Sequence, residues 1–181
     1  FTAASVGRIA SNFINGPETL TNGVDLYVQY ETDYANGTIT GGMEVNYVAK
    51  YDVAAYNKGG VQIAAAYECV GFFNINNGCR SMPDTKAKAF VNYQTDAHNF
   101  YGALNYIGAY IDRRDNREVT ASNTIDATYT YSWDDAFDIS LSVYNLTNEE
   151  PPFVGWEMNY DPYVHSPLGR YFKAGFTYRM Q

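Results

Sequence analysis

From Phe172 to Met180 the chain alternates between an apolar set (Phe172, Ala174, Phe176, Tyr178, Met180) and a small, polar or cationic set (Lys173, Gly175, Thr177, Arg179). Successive side chains of a strand point to opposite faces, so this period of two predicts a strand with one greasy side. The same alternation predicts about seven strands along the chain. Val24, Leu26, Val28 and Tyr30 oppose Asp25, Tyr27, Gln29 and Glu31. Ile39, Gly41, Met43, Val45 and Tyr47 oppose Thr40, Gly42, Glu44, Asn46 and Lys50. Ala87, Ala89, Val91 and Tyr93 oppose Lys86, Lys88, Asn92 and Gln94; Phe100, Leu104, Tyr106 and Tyr110 share the next apolar face. Ile125, Ala127, Tyr129, Tyr131 and Trp133 oppose Thr124, Asp126, Thr128, Thr130 and Ser132, and Phe137, Ile139, Leu141 and Val143 oppose Asp138, Ser140, Ser142 and Tyr144. No amphipathic helical period is present.

The connections alternate in length. Those at 34–37 (with Asn36-Gly37, a hairpin signal), 95–98 and 133–136 are short. Those near 52–84, 113–121 and 148–167 are long and rich in Gly, Asn, Asp and Pro. Short turns at one end and long loops at the other are the arrangement of an outer-membrane barrel, although a β-sandwich can share it.

Composition changes the weight of that reading. There are 18 Tyr and 10 Phe in 181 residues, and only 18% are charged. A mean hydropathy of −0.36 suits an aqueous all-β protein. It equally suits a membrane barrel, whose hydrophobicity is carried by every second residue, and tyrosine is favoured where a membrane meets water. A net charge of −8 speaks against nucleic acid as partner, which needs clustered Lys and Arg. No Gly-x-Ser-x-Gly, phosphate-cradling Gly loop or His/Cys metal spacing appears. Ser166 beside His165 would point to opposite faces of an extended chain, so no enzyme activity is expected.

Several segments carry a resemblance. Asn145-Leu146-Thr147-Asn148-Glu149-Glu150-Pro151-Pro152, then Tyr160-Asp161-Pro162, then Gly169-Arg170 before the aromatic last strand resemble the C-terminal end of TonB-dependent outer-membrane receptors. Asn15-Gly16 leading to Gly23-Val24-Asp25-Leu26, Met82-Pro83-Asp84-Thr85-Lys86-Ala87 and Tyr106-Ile107-Gly108-Ala109-Tyr110 resemble earlier strands of that family. Thr147, where the family has Phe, and Met180-Gln181, in place of a terminal aromatic, depart from it. The resemblance implies an all-β, antiparallel transmembrane β-barrel in the bacterial outer membrane. Residues 1–181 would be about seven strands of a barrel of about 22, with the plug and TonB-contacting segment upstream. It further implies active transport of a scarce nutrient, a ferric siderophore or other iron complex above all, without a cofactor. The implied partners are the TonB complex, outer-membrane lipid and lipopolysaccharide, and the barrel-assembly machinery. A small self-contained barrel acting as anchor or adhesin is the competing expectation.

Candidate residues follow. Cys69 and Cys79 are an even pair, which in an exported protein favours a disulfide over free thiols or a metal site. Arg113 and Arg114, within Asp112-Arg113-Arg114-Asp115, are a solvated charge cluster or an anion contact. Trp156, Tyr160, Tyr163 and His165 lie in a long loop and are candidates for extracellular ligand contact, or for loop packing. Lys173, Gly175, Tyr178 and Met180 resemble the barrel-assembly signal, in what is otherwise an ordinary closing strand. His98 stands alone. Asn36-Gly37-Thr38 and Asn145-Leu146-Thr147 match the glycosylation sequon but read better as a turn and a strand end. Val24, Met43, Val45, Leu104, Ile139, Leu141 and Phe176 are expected to face lipid. Asp25, Glu44, Asn105, Asp126, Ser140 and Lys173 are expected to face a lumen.

Overall fold

A computed structural model describes residues 15–180. Within them the protein is all-β. Seven long strands form one antiparallel sheet: β1 (Thr19–Tyr34), β2 (Gly37–Val53), β8 (Thr85–Gln94), β9 (His98–Ile107), β12 (Ser122–Ser132), β13 (Phe137–Tyr144) and β14 (Tyr171–Tyr178), paired in that order. The long connections carry the short strands. These are β3 (Tyr56–Lys58), β4 (Val61–Ala64), β5 (Tyr67–Glu68), β6 (Phe72–Asn74), β7 (Arg80–Met82), β10 (Tyr110–Asp112) and β11 (Arg117–Val119). β5 adds to the end of β2, β3 pairs with β4, and β11-β10-β6-β7 form a separate four-stranded sheet.

Register turns the sequence alternation into two surfaces. Residues opposite one another across an antiparallel pair share a face. One row runs Tyr30, Gly41, Val91, Gly102, Ala127, Val143 and Phe172 across all seven strands. Beside it lies the row Val28, Met43, Ala89, Leu104 and Ile125. The opposite face carries Glu31, Thr40, Asn92, Tyr101, Thr128, Ser142 and Lys173 in one row, and Tyr27, Glu44, Lys88, Asn105 and Thr124 in another. The polar face satisfies itself locally: Asn46 donates to Asp25 at 2.6 Å, Asn105 to Asp126 at 2.9 Å and Thr128 to Ser142 at 2.9 Å.

Nothing among the described residues covers the apolar face. Val24 is 64% exposed, Leu141 57% and Phe176 78%. The hydrophobic cluster of buried residues, Phe73, Tyr110, Val119 and Val154 with Ile75 and Trp156 packed on it, lies among the long loops and not on the sheet. A soluble monomer rarely shows a contiguous apolar patch beyond a few hundred Å².

Two expectations of local structure are corrected. Tyr110 does not continue the apolar face of β9. The strand ends at Ile107, and Tyr110 begins β10, buried under the loops. The 52–84 connection is not an open loop but holds five short strands. The first hairpin turns where expected, within Tyr34-Ala35-Asn36-Gly37, on Ala35 (φ 53°) and Asn36, with Gly37 opening β2. Glycine is needed there for proximity, since a Cβ on Gly37 would stand 2.3 Å from the Gln94 carbonyl oxygen.

At the short-turn end the apolar face is aromatic. His98 Nδ1 lies 2.8 Å from the Tyr129 hydroxyl and stacks near Phe100 and Tyr131, so it is not isolated in space. Phe100 and Tyr129 rings are 4.8 Å apart, and Tyr34 meets Tyr93 edge-on at 6.5 Å.

Candidate functional site

The loops at the other end form a layer held by two buried carboxylates. Asp161, fully buried, accepts from the hydroxyl of Ser81 in the middle of β7, from the Tyr110 hydroxyl at 2.9 Å, and from the N–H of Tyr163, two residues on, at 2.9 Å. Because Tyr110 donates to Asp161, its oxygen is left to accept from His165 Nε2–H at 3.1 Å. His165 Nδ1 then accepts from Ser122 Oγ at 3.4 Å. This chain fixes the imidazole tautomer by satisfiability alone. It also ties together β7, β10, the 161–165 loop and the start of β12. Burial, with the Asp161 charge and hydrogen bond added, holds the Tyr110 phenol far above its ordinary range. Burial also lowers the His165 pKa, the Asp161 charge opposing that shift and Lys86 reinforcing it.

Asp112, also fully buried, accepts from the Arg114 N–H at 3.0 Å and the Gly155 N–H at 3.0 Å. It thereby fixes the β10–β11 turn against the loop that bears Trp156. The Trp156 ring packs 6.0 Å from Phe73 and stacks 6.1 Å from Tyr163, which Arg80 overlies at 5.8 Å. Arg113 lies over the Phe72 ring at 3.3 Å, a cation–π contact.

Cys69 and Cys79 form a disulfide with Cα atoms 6.0 Å apart, bracketing β6 and the turn into β7. The turn itself is built on asparagine: Asn74 Oδ1 accepts from the Asn76 N–H, and Asn77 Oδ1 from the Cys79 and Arg80 N–H groups.

The candidate residues therefore separate. Arg113, Arg114 and Trp156 converge on one cavity of about 390 Å³ with Asn74 and Asn76, and Tyr163 backs its tryptophan. His165 lines a different cavity of about 250 Å³ on the polar face of the sheet. Tyr160 is half-buried and lines neither. Its neighbour Asp161, quoted above only within the Tyr160-Asp161-Pro162 run and not among the candidate residues, is the group that holds this layer, and its carboxylate accepts from the Tyr163 N–H as a turn aspartate would. No group of three or more His, Cys, Asp or Glu placed to hold a metal ion stands among the described residues.

On β14, Lys173 sits opposite Ser142, Gly175 opposite Ser140 and Tyr178 opposite Phe137. Met180 falls beyond the strand and is exposed. The run into β14 is held by the preceding asparagines. Asn145, at φ 53°, clasps the Glu149 backbone through both its amide atoms, and Asn148 Oδ1 accepts from the Arg170 N–H at 2.8 Å. A Cβ on Gly169 would come within 2.6 Å of that Asn148 oxygen. The two halves of the resemblance, Asn145 to Asn148 and Gly169-Arg170, are thus one physical joint.

No protein-family model, no curated protein and no solved structure matches this chain.

Proposed function

We propose that the chain is the C-terminal arc, about seven strands, of an outer-membrane transport barrel of about 22 strands of the TonB-dependent receptor type, which takes up a scarce nutrient. The cargo is a ferric siderophore or another iron complex. The observation that carries this reading is the sheet itself: one continuous apolar face left bare, one self-satisfied polar face, and no core between them. A sheet in water would bury the first. A barrel wall presents it to hydrocarbon and turns the other toward an aqueous lumen. The lengths of β8, β9 and β12, at 10, 10 and 11 residues, suit strands that cross a bilayer at a tilt of about 45°. The aromatic cluster around His98 and Tyr129 then marks one membrane–water boundary.

In this reading the bare face meets outer-membrane lipid and lipopolysaccharide, and the barrel-assembly machinery reads the last strand. The TonB complex acts through upstream parts of the protein. The loop layer faces outward, and its Arg113, Arg114 and Trp156 cavity meets the cargo. No helix of the described residues is long and apolar enough to cross a membrane, which has no bearing on crossing by strands. The competing self-contained anchor or adhesin needs β14 to pair with β1. Among the described residues β14 pairs with β13 and β1 with β2, so that reading lacks its closing contact.

Deletion of the gene in its native cell, with uptake of radioactive iron complexes measured, tests the proposal. Loss of uptake of at least one complex, restored by the gene and abolished again by collapsing the proton gradient, is the expected result. Unchanged uptake of every complex would refute iron transport.

A further inference from the structure

Ser122 opens β12 and His165 ends the 161–165 loop; both are buried, and both line the cavity of about 250 Å³ on the polar face. Glu149, Ser166 and Leu168 line it too and are exposed, so the cavity opens outward. We propose that Ser122 and His165 are a nucleophile and its general base, and that this site hydrolyses a short uncharged carboxylic ester. The site stands apart from the transport reading and does not depend on it.

The hydrogen bonds set the imidazole for that task. Tyr110 donates to Asp161, so its oxygen accepts from His165 Nε2–H at 3.1 Å, and the Nδ1 lone pair is left toward Ser122 Oγ, 3.4 Å away. A working base needs both features: an unprotonated nitrogen against the nucleophile, and its other nitrogen held by an orienting group. The 3.4 Å separation is that of a resting site, whose hydrogen bonds tighten when substrate binds. Ser166, the sequence neighbour of His165, is not the partner; the hydroxyl that reaches the ring comes from another element. Burial keeps the groups in their working forms. It lowers the His165 pKa, so the ring is neutral at neutral pH, and it holds Tyr110 as the phenol. Ser122 and His165 are thus the catalytic residues, and Tyr110 and Asp161 position the ring.

In the reaction, Ser122 Oγ adds to the ester carbonyl carbon while His165 Nδ1 takes the hydroxyl proton. The C–O bond to the leaving alkoxide then breaks, and His165 returns the proton to that oxygen. Water, losing a proton to Nδ1, cleaves the acyl-serine, and the carboxylic acid leaves with Ser122 restored. Two hydroxyls that line the same cavity can donate to the oxyanion. Thr124, two residues along the same face of β12, accepts from Asn105 at 3.3 Å, and Ser166 accepts from the Leu168 N–H at 3.2 Å. Neither hydroxyl donates elsewhere among the described residues. Charge and size then choose the substrate. Asp126, Glu149 and Glu150 line the cavity and no Lys or Arg does, so an anionic ester is repelled. The volume admits only a short acyl group.

The test treats the full-length native protein in detergent with an uncharged alkyl fluorophosphonate and maps the modified residue by peptide mass spectrometry. Phosphonylation of Ser122, with fluoride leaving, is the expected result, and it should slow in His165→Gln. Hydrolysis of p-nitrophenyl acetate should fall about a hundredfold in Ser122→Ala, and the anionic p-nitrophenyl hemisuccinate should turn over more slowly than the acetate. His165 faces Tyr110 and Asp161, feels Lys86 from β8, and shares the cavity with Asp126, Glu149 and Glu150. Since the ring must be neutral to act, the rate should rise with pH and level off, its midpoint below the ordinary 6.5. Tyr110→Phe should lower kcat severalfold at unchanged KM, because the wrong nitrogen is then free to carry the proton; a merely structural role would not give that split. Mapping on the unaltered protein decides the matter even should every variant fail to fold. Modification of no serine, or of a serine other than Ser122, overturns the proposal, as do undiminished hydrolysis in Ser122→Ala and faster hydrolysis of the anionic ester. Ester hydrolysis at Ser122 in a protein that takes up no iron complex supports this inference and removes only the transport reading.

Discussion

Asp161 carries more of the loop layer than any candidate picked from the sequence. Its carboxylate is the common acceptor for Ser81 and Tyr110, and through Tyr110 for His165 and Ser122. Asp161→Ala leaves the buried Tyr110 hydroxyl and the half-buried Ser81 hydroxyl without their acceptor, at a cost of about 1–3 kcal/mol. Amide hydrogen exchange should therefore speed up in β6, β7 and β10 together while β8, β9 and β12 stay protected; exchange confined to residues next to 161 would show that the network does not couple them. The same network sets a pH dependence. The folded pKa of His165 lies below its ordinary value of 6.5, so protonation favours the opened layer. Its contribution is complete above about pH 6.5 and is lost as pH falls below that. Trp156 fluorescence, followed through denaturant titrations at pH 7.5 and 5.5, should report a less stable layer at the lower pH, and His165→Gln should flatten the difference.

At the scale of elements, the strands were legible and the loop layer was not. Ten-residue strands such as β8 and β9 repeat their period often enough to be read, and their faces follow from parity alone. Three-residue strands show no period, and β10 joins β6 in parallel across some forty residues of sequence, a pairing no local pattern announces. Tyr110 misled for the same reason, since it keeps the parity of β9 although the strand has ended. His98 looked solitary because its partners, Tyr129 and Tyr131, stand on another strand. Two predictions belong here. Opening the Cys69–Cys79 bridge by the double change to Ser should cost the layer about 2–3 kcal/mol, read as a lower melting point for Trp156 fluorescence with strand circular dichroism retained; simultaneous loss of both would tie the bridge to the whole sheet instead. Arg at Leu141, if it lies near the bilayer midplane, should cost about 2–4 kcal/mol, and Arg at neighbouring Ser140 far less, in folding titrations into lipid vesicles. Equal costs would mean that the two faces meet the same surroundings.

For the whole molecule, the decisive feature is that the sheet formed by the described residues ends in two edges, β1 and β14, with no further described strand beside them. β1 offers 16 residues of backbone on its outer side and β14 offers 8. In water such long edges invite aggregation, and in hydrocarbon each unpaired backbone group costs several kcal/mol. On the proposed function the arc continues into further strands on both sides, β14 closing onto the first strand of the barrel and β1 onto the strand before it. The disulfide, the buried carboxylates and the Asn145–Asn148 joint tie the loop layer together from within. On the proposed function, the wall beneath draws its stability from lipid and from neighbouring strands. The mass of the native polypeptide recognised by an antibody against residues 15–180, in isolated membranes, tests this most directly. A band several times the 20.3 kDa of this chain is the expected result, and a native polypeptide near 20 kDa would contradict the account.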